Sequence, residues 1–554
     1  MPSSLLDSGE PPNARSSTAA ALRRLAYSLA GAAVAGLASA APAQESDIVR
    51  TPNNGGFGIQ KSLEEQIGAG RGDIYTPGSS RFIIARDPFR AIVRGRQIFQ
   101  RKFSLSEGLG PRTDDGAGNI GNGDDDTLFD ASRVAGLADS CAACHGRPRG
   151  SAGHGGNVFT RPDSRDAPHL FGLGLIEMLA DEITADLRAT RDSAHAAAVQ
   201  SGRSITVPLR SKGIDFGSLT VHSDGSHDAS GLQGVDPDLR VKPFFAEGSA
   251  FSIRHFSAGA FNHEMGLETS DPDLLQASRR ERVVTPSGMV LDGVRDEIDP
   301  PPVTSADEDG DGDGVTDELD PALLDHLEFY LLNYFKPGSY VAYPESVSQG
   351  RGIMEEAGCT SCHIPDLTIE DDRRVADAET SFDPDQGEFN GLFSAAVALF
   401  TEQTDGSGLP DLRRPSGERF VVRNVFTDLK RHDLGPNFWE RNFDDGEFQK
   451  EFVTEPLWGV GSTSPYGHDG RSINLREVIF RHGGEAQESS DAFGALPDRR
   501  QRNLLDFLES LVLFPPADTA SNLDPVNPGD PDFPQFGHGS IALRALFLDR
   551  DDPE

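Results

Sequence analysis

Apolar positions with a helical period are concentrated in a few stretches of this chain, and the clearest of them recur. Leu324, Leu327, Leu331 and Leu332 keep the i, i+3, i+4 spacing of a helix face that covers something apolar. The stretch that carries this face, Leu323-Leu-Asp-His-Leu-Glu328, returns as Leu504-Leu-Asp-Phe-Leu-Glu509. Both continue apolar up to a proline, Pro337 and Pro515, which cannot continue a helix. Two further stretches return ahead of them in the same order. Gly95-Arg-Gln-Ile-Phe99 is matched by Gly350-Arg-Gly-Ile-Met354, each predicted to open a helix, and Leu170-Phe-Gly-Leu-Gly174 is matched by Leu457-Trp-Gly-Val-Gly461. Three matches in one order read as an internal duplication.

A different apolar run, Leu25 to Ala40, follows Arg23 and Arg24 and precedes Ala41-Pro42-Ala43. It has the form of a secretory signal with a small-residue cleavage site. The run is shorter than the roughly 20 apolar residues of a spanning helix, and no later stretch qualifies. Retention of the signal as a membrane tether is the alternative. The expected layout is a signal peptide over 1–43, a polar arm over 44–89, a first helical domain over 90–338, a second over 339–516, and an acidic, proline-rich tail over 517–554. A Gly/Asp-rich loop, Thr113–Asp126, pads the first copy. The 554 residues carry a net charge of −37, which argues against nucleic acid or an anionic membrane as partner.

The chain has four cysteines, and all four fall in two identical patterns, Cys141-Ala-Ala-Cys144-His145 and Cys359-Thr-Ser-Cys362-His363. Cys-x-x-Cys-His is the attachment pattern of a c-type haem. Two thiols one turn apart bond the porphyrin, and the adjacent imidazole lies under the iron. A redox dithiol or half a zinc site needs only Cys-x-x-Cys, and neither explains why two such motifs consume every cysteine. The expectation is two covalent haems with His145 and His363 as proximal ligands. The fold class expected is mainly α, with two duplicated cytochrome c-like haem domains, long loops and insertions. Between the copies lies Asp309-Gly-Asp311-Gly-Asp313-Gly314-Val-Thr-Asp317-Glu-Leu-Asp320, whose carboxylates follow the spacing of an EF-hand-like calcium loop. A solvated acidic linker over 307–320 is the other reading of the same residues.

These motifs, together with Arg165-Asp-Ala-Pro-His-Leu-Phe-Gly-Leu-Gly174, Gly259-Ala-Phe-Asn-His-Glu-Met-Gly266, Pro465-Tyr-Gly-His-Asp-Gly-Arg471 and His482-Gly-Gly-Glu-Ala-Gln487, resemble the di-haem c-type peroxidase superfamily. That group includes bacterial cytochrome c peroxidases, MauG-type enzymes and rubber oxygenases. The resemblance runs from about residue 90 to 515 and is nearest to the branch of di-haem oxidoreductases, also called thiol oxidoreductase-like. It implies that the second haem is a six-coordinate electron-transfer centre whose distal ligand lies fourteen residues beyond His468, which is His482. It also implies that peroxide or oxygen reacts at the first haem, with Glu264 of the Glu-Met-Gly motif as distal acid/base. The peroxidases carry a tryptophan where this chain has Lys242-Pro-Phe-Phe245, and Trp458 is a substitute from the second domain. His263, His255 and His195 remain candidates for the first iron.

The function expected is that of a periplasmic or secreted di-haem oxidoreductase acting on hydrogen peroxide or another small oxidant. Its acidic surface would suit a basic cytochrome c or copper protein as electron donor. An oxygenase of an apolar substrate and a plain electron carrier are the competing readings.

Overall fold

A computed structural model describes residues 63–110, 139–145, 167–334, 344–377, 397–441 and 447–512. The chain divides into two units, Met1–Asp47 and Ile48–Glu554, and every described residue belongs to the second. The signal segment, Thr113–Asp126, Arg165, Pro337, Pro515 and the tail 517–554 lie outside the described residues.

Short helices α1 (Leu63–Ile67) and α2 (Ser80–Arg86) precede α3 (Pro88–Gln100). Asp87 caps α3 by accepting from the Arg90 amide, and Pro88 fills its first turn, where a missing N–H costs nothing. The first Cys-x-x-Cys-His motif forms the one-turn helix α4 (Cys141–His145), followed by the long α5 (Leu173–Ser201). A three-stranded antiparallel sheet comes next, β1 (Ile205–Ser211), β2 (Ile214–Val221) and β3 (His227–Asp228), in the order β1-β2-β3. Lys212 and Gly213 both have positive φ and turn β1 into β2, as a two-residue hairpin demands. Then follow α6 (Ile253–Ala260), α7 (Pro272–Ser278), α8 (Pro321–Leu332) and α9 (Pro344–Glu356). After α9 come two-stranded ribbons, such as Leu367–Ile369 against Phe420–Val422, and finally α10 (Leu475–Arg481), α11 (Gln487–Ala495) and α12 (Asp498–Glu509).

The mainly-α expectation holds at this coarse level, with small sheets that the helical patterns gave no hint of. Gly95 and Gly350 do not open helices, however. Each sits inside one, because Asp87-Pro88 and Pro344 set the starts several residues earlier.

The two glycines mark helix crossings built alike. A Cβ on Gly95 would collide with the His326 carbonyl and Tyr330 Cβ where α3 meets α8, and one on Gly350 with the Asn503 carbonyl and Phe507 Cβ where α9 meets α12. The other matched stretch behaves in the same way: Gly174 abuts Leu332, and Gly461 abuts Glu509. In space residue 326 therefore answers to 503, 330 to 507 and 332 to 509. The alignment of Leu323-Leu-Asp with Leu504-Leu-Asp is one helical turn out of step with this. Leucines recur every turn on such a face, so a shift of four residues preserves the apolar pattern and misleads the eye.

Around the first crossing a large core gathers Ile98, Phe99, Leu179, Leu327 and Leu331. Around the second a smaller one holds Ile353, Met354, Leu504, Phe507 and Leu508. Full burial of each such side chain contributes roughly 1.5–3 kcal/mol. No helix among the described residues is long and apolar enough to cross a membrane.

Candidate functional site

Three histidines share one arrangement. His145 Nδ1 lies 2.6 Å from the Pro168 carbonyl, His363 Nδ1 3.0 Å from the Phe426 carbonyl, and His482 Nδ1 2.7 Å from the Val478 carbonyl. A carbonyl only accepts, so each Nδ1 carries the proton and each Nε2 keeps its lone pair. That is the state an imidazole needs to bind a metal through Nε2 with its ring orientation fixed. Burial lowers the pKa of all three, His363 to about 4, which keeps them neutral.

Around His363 the backbone is bent to purpose. Cys359–Ser361 form a single 3₁₀ turn, and the His363 amide closes it on the Cys359 carbonyl at 3.0 Å. Phe426, which supplies the carbonyl to Nδ1, has φ 52°, and Asn424 and Leu429 beside it are also left-handed. Non-glycine residues in that region cost about 1 kcal/mol or more each, so the packing around them must hold them there.

His482 ends α10 as its C-cap. Asn474 starts that helix by accepting from the Glu477 amide at 2.9 Å. Asp469 of the Pro-Tyr-Gly-His-Asp-Gly-Arg turn receives both Nη atoms of Arg481 at 3.2 and 2.7 Å, so the turn grips the residue before His482. Arg481 lies over the Phe438 ring at 4.2 Å, and Phe438 meets His482 edge-on at 5.4 Å. His468 stacks on Phe452 at 3.9 Å and is a packing residue of this wall. Arg471 is largely exposed beside Asp469.

Two residues outside the motifs, His432 and Asp428, complete the surroundings together with Glu485 of the His482–Gln487 motif. His432 Nδ1 meets Glu485 at 2.7 Å, and its Nε2 meets Asp428 at 2.9 Å. Burial alone would lower its pKa, but hydrogen bonds that it donates to Asp428 and Cys362 overcome this and push it up to about 11. The ligand atoms of Cys362, Asp428 and His432 lie within 4.8 Å of one another. A doubly protonated imidazole has no lone pair for a metal, so His432 serves as an ion-pair brace for the loop behind His482. Neither composition nor spacing set it apart among fourteen histidines.

At the first motif, Cys141 packs against the large core, and Tyr330, close enough to sense its thiol, belongs to an aromatic group with Phe99, Phe171 and Tyr334. Cys144 lies in α4, but its side chain is outside the described residues. The matched stretches 170–174 and 457–461 meet each other here. His169 Nε2 contacts the Trp458 carbonyl at 2.7 Å, and the Trp458 ring lies where a Cβ of Gly172 would be. Trp458 is thus core packing, as a lone tryptophan usually is, at the seam between the two halves.

Glu264 is half-buried in a π-helical turn, Phe261–Met265, that extends α6 and is closed by the left-handed Gly266. Such turns widen a helix by one residue and cluster at functional sites. The Met265 carbonyl accepts from the Gly110 amide at 2.7 Å, and Phe261 meets Phe103 edge-on. His263 in the same turn is exposed. His255 faces Asp299 at 3.6 Å, and His195 is exposed on α5 against the turn at Gly225.

The acidic loop is only partly as its spacing predicts. Asp309, Asp311 and Asp313 converge, while Asp317 and Asp320 fall in neither carboxylate group. Asp320 instead caps α8, accepting from the Ala322 amide at 2.7 Å. Glu268 and Glu318, at positions the loop pattern does not include, join Asp311.

The three freed Nε2 atoms are the groups at these motifs that would bind haem iron. Glu455 is exposed by area, yet surrounding protein pushes its carboxyl up to about 7. Its exposed surface lets water solvate the charge. A separate open groove of about 690 Å³, lined by Asp186, Thr190, Ala194, Val207 and Arg210, touches none of the motif residues.

No curated protein matches the chain. A solved structure of hydrazine synthase from Kuenenia stuttgartiensis, pressurised with xenon, aligns at 18% identity and a TM-score of 0.20, over 34% of this chain and 55% of that one. So loose a likeness carries no argument, and the match spans about half of that protein's length. Residues 418–511, which contain Phe426, His432, Trp458, Asp469 and His482, match the family described as "Di-haem oxidoreductase, putative peroxidase", so the resemblance read from the motifs holds over that segment.

Proposed function

We propose that this chain is an exported di-haem c-type oxidoreductase that reacts with hydrogen peroxide or a similar small oxidant. The observation that carries this reading is the shared state of His145, His363 and His482, each with Nδ1 on a carbonyl and Nε2 free. Cys141 and Cys144 hold one haem and Cys359 and Cys362 the other, and the paired crossings at Gly95 and Gly350 support two cytochrome c-like domains. When bound, haem iron supplies reversible electron storage and, where its sixth position is open, reactivity toward small oxidants.

The protein's own groups divide that work. His363 and His482 would both hold the second iron, which would then serve as an electron carrier. His145 holds the first iron from one side. The Glu264 carboxyl holds a proton and passes it to the oxidant, the acid/base help that O–O cleavage needs. A small basic redox protein is the donor that the net charge of −37 suits.

The test is the holoprotein itself. Intact mass should exceed the processed polypeptide by two haems, and EPR should show one low-spin and one high-spin ferric centre. Bound zinc or free thiols would end the haem reading. Two low-spin centres would make the protein a carrier, and oxygen incorporation into an apolar substrate would make it an oxygenase.

A further inference from the structure

Glu318 is only 3% exposed, and its Oε1 accepts no hydrogen bond. Its other oxygen accepts from the Glu268 amide at 2.7 Å. The Glu268 carboxylate in turn accepts from the Gly310 amide at 2.8 Å. One oxygen each of Glu268, Asp311 and Glu318 lie within 4.8 Å of one another, and Asp311 shares a second group of the same tightness with Asp309 and Asp313. The chain makes room for this. Gly108, at φ 91°, has no Cβ where the Glu318 carboxyl lies.

A buried carboxylate oxygen left without a donor costs its desolvation with nothing in return. Here the charges acting most on Glu268, Asp311 and Glu318 are other carboxylates, and burial with that repulsion pushes Glu318 up to about 9 and Asp311 to about 6. A buried oxygen without a donor, beside two carboxylate groups that share Asp311, makes sense if a cation completes the set. All donors are oxygens, which selects a hard cation, and a flexible set of this size suits calcium's six to eight ligands better than the tight octahedron of magnesium.

We propose that Glu268, Glu318 and Asp311, with Asp309 and Asp313, hold one calcium ion that pins the segment following Glu264 to the start of α8. This ligand set differs from the one the loop spacing predicts. It replaces Asp317 and Asp320 with Glu318 from the same loop and Glu268 from the segment after the π-turn. The ion then joins two stretches, around Glu268 and 309–318, with the Glu318 carboxyl packed on Gly108. The assignment stands whether or not the haem reading does.

The experiment is calorimetric titration of Ca²⁺ into the purified full-length protein after chelation and dialysis. Wild type should bind one Ca²⁺, and its melting temperature should rise on binding. Glu318→Gln and, separately, Glu268→Gln should weaken binding by about tenfold or more. Asp317→Asn should bind as wild type does, and so should Asp320→Asn, since asparagine still caps a helix. Equal melting temperatures in chelator, where no protein carries the ion, show that the variants fold. Unchanged binding in both glutamate variants, or loss of binding in Asp317→Asn, overturns this ligand set. Absence of any Ca²⁺ binding by wild type overturns the site.

Discussion

His363 Nδ1 lies 3.0 Å from the carbonyl oxygen of Phe426, a residue held in a left-handed conformation at φ 52°. Phe426 is 1% exposed and meets Phe507 of α12 edge-on at 5.6 Å. The closing helix thus fixes the residue whose carbonyl fixes the histidine. Helix packing and the orientation of His363 are one structure here.

The second iron should lose its sixth ligand in His482→Ala. One low-spin EPR signal should become high-spin while the other haem's signal stays as it was. An unchanged low-spin signal would move the ligand elsewhere in the chain.

Asp469→Asn removes the charge that grips Arg481 one residue before His482. Asp469 is buried and receives both Nη atoms, so the loss should cost about 1–3 kcal/mol in thermal unfolding and broaden the low-spin signal of the second haem. Arg471→Ala, on the exposed side of the same carboxylate, should change neither. Equal effects from the two variants would remove Asp469 from the support of His482.

How much of this was legible in the sequence differs from residue to residue. The two Cys-x-x-Cys-His motifs and His482 lie in short contiguous patterns, and contiguous patterns survive in the chain. Glu485 reaches His432 and Asp428 from 53 residues beyond His432, and Glu268 reaches the acidic loop from 42 residues away. Nothing local distinguishes such residues before folding brings them together. The strand Ile205–Ser211 was legible in principle, since Ile205, Val207 and Leu209 alternate with Thr206, Pro208 and Arg210. Helix starts were misjudged because the repeated glycine marks where two helices touch, and the starts are set by Asp87-Pro88 and Pro344 upstream of it.

The paired crossings make a symmetric expectation. Gly95→Ala and Gly350→Ala each put a methyl group against a backbone carbonyl of the partner helix. Each should cost roughly 1–3 kcal/mol by forcing the pair apart. If α3–α8 and α9–α12 hold separate haems, each variant should perturb the spectrum of one haem alone. A single variant that disturbs both haems equally would argue for one continuous core.

Asp271 and Arg254 are both fully buried, and Asp271 also caps α7 at the Leu274 amide. Burial would raise the Asp271 carboxyl, but Arg254 beside it holds it below its ordinary value of 3.8. A depressed folded pKa gives stability that is present above 3.8 and lost as pH falls through the folded value. Asp271→Asn should therefore lower stability at neutral pH by about 3 kcal/mol, because Arg254 keeps Asp325 and Glu328 at 2.9 and 2.7 Å but loses one anion. Its melting temperature should also decline less steeply than that of wild type as pH drops below 3.8. Parallel acid profiles would show that the pair contributes nothing pH-dependent.

Glu264 is the residue on which the enzymatic reading turns. It is half-buried in a π-turn closed at its C-terminal end by Gly266 at φ 75° and by the hydrogen bond from the Gly110 amide to the Met265 carbonyl, so its placement is set by the backbone. Glu264→Gln preserves size and hydrogen-bonding capacity but cannot cycle a proton. General acid/base help of this kind contributes about 10²–10⁴-fold, and the variant should react with hydrogen peroxide more slowly by that factor. Both haems should stay bound, shown by intact mass and the pyridine haemochrome spectrum. The assay must cover both the oxidised protein and the form with the second haem reduced, so that a requirement for prior reduction is detected. A wild-type protein inert to peroxide in both states would remove the peroxidase reading altogether. A reactive wild type with an equally fast Glu264→Gln would keep the enzyme and release this residue from it, leaving His263, on the exposed side of the same turn, as the group to replace next.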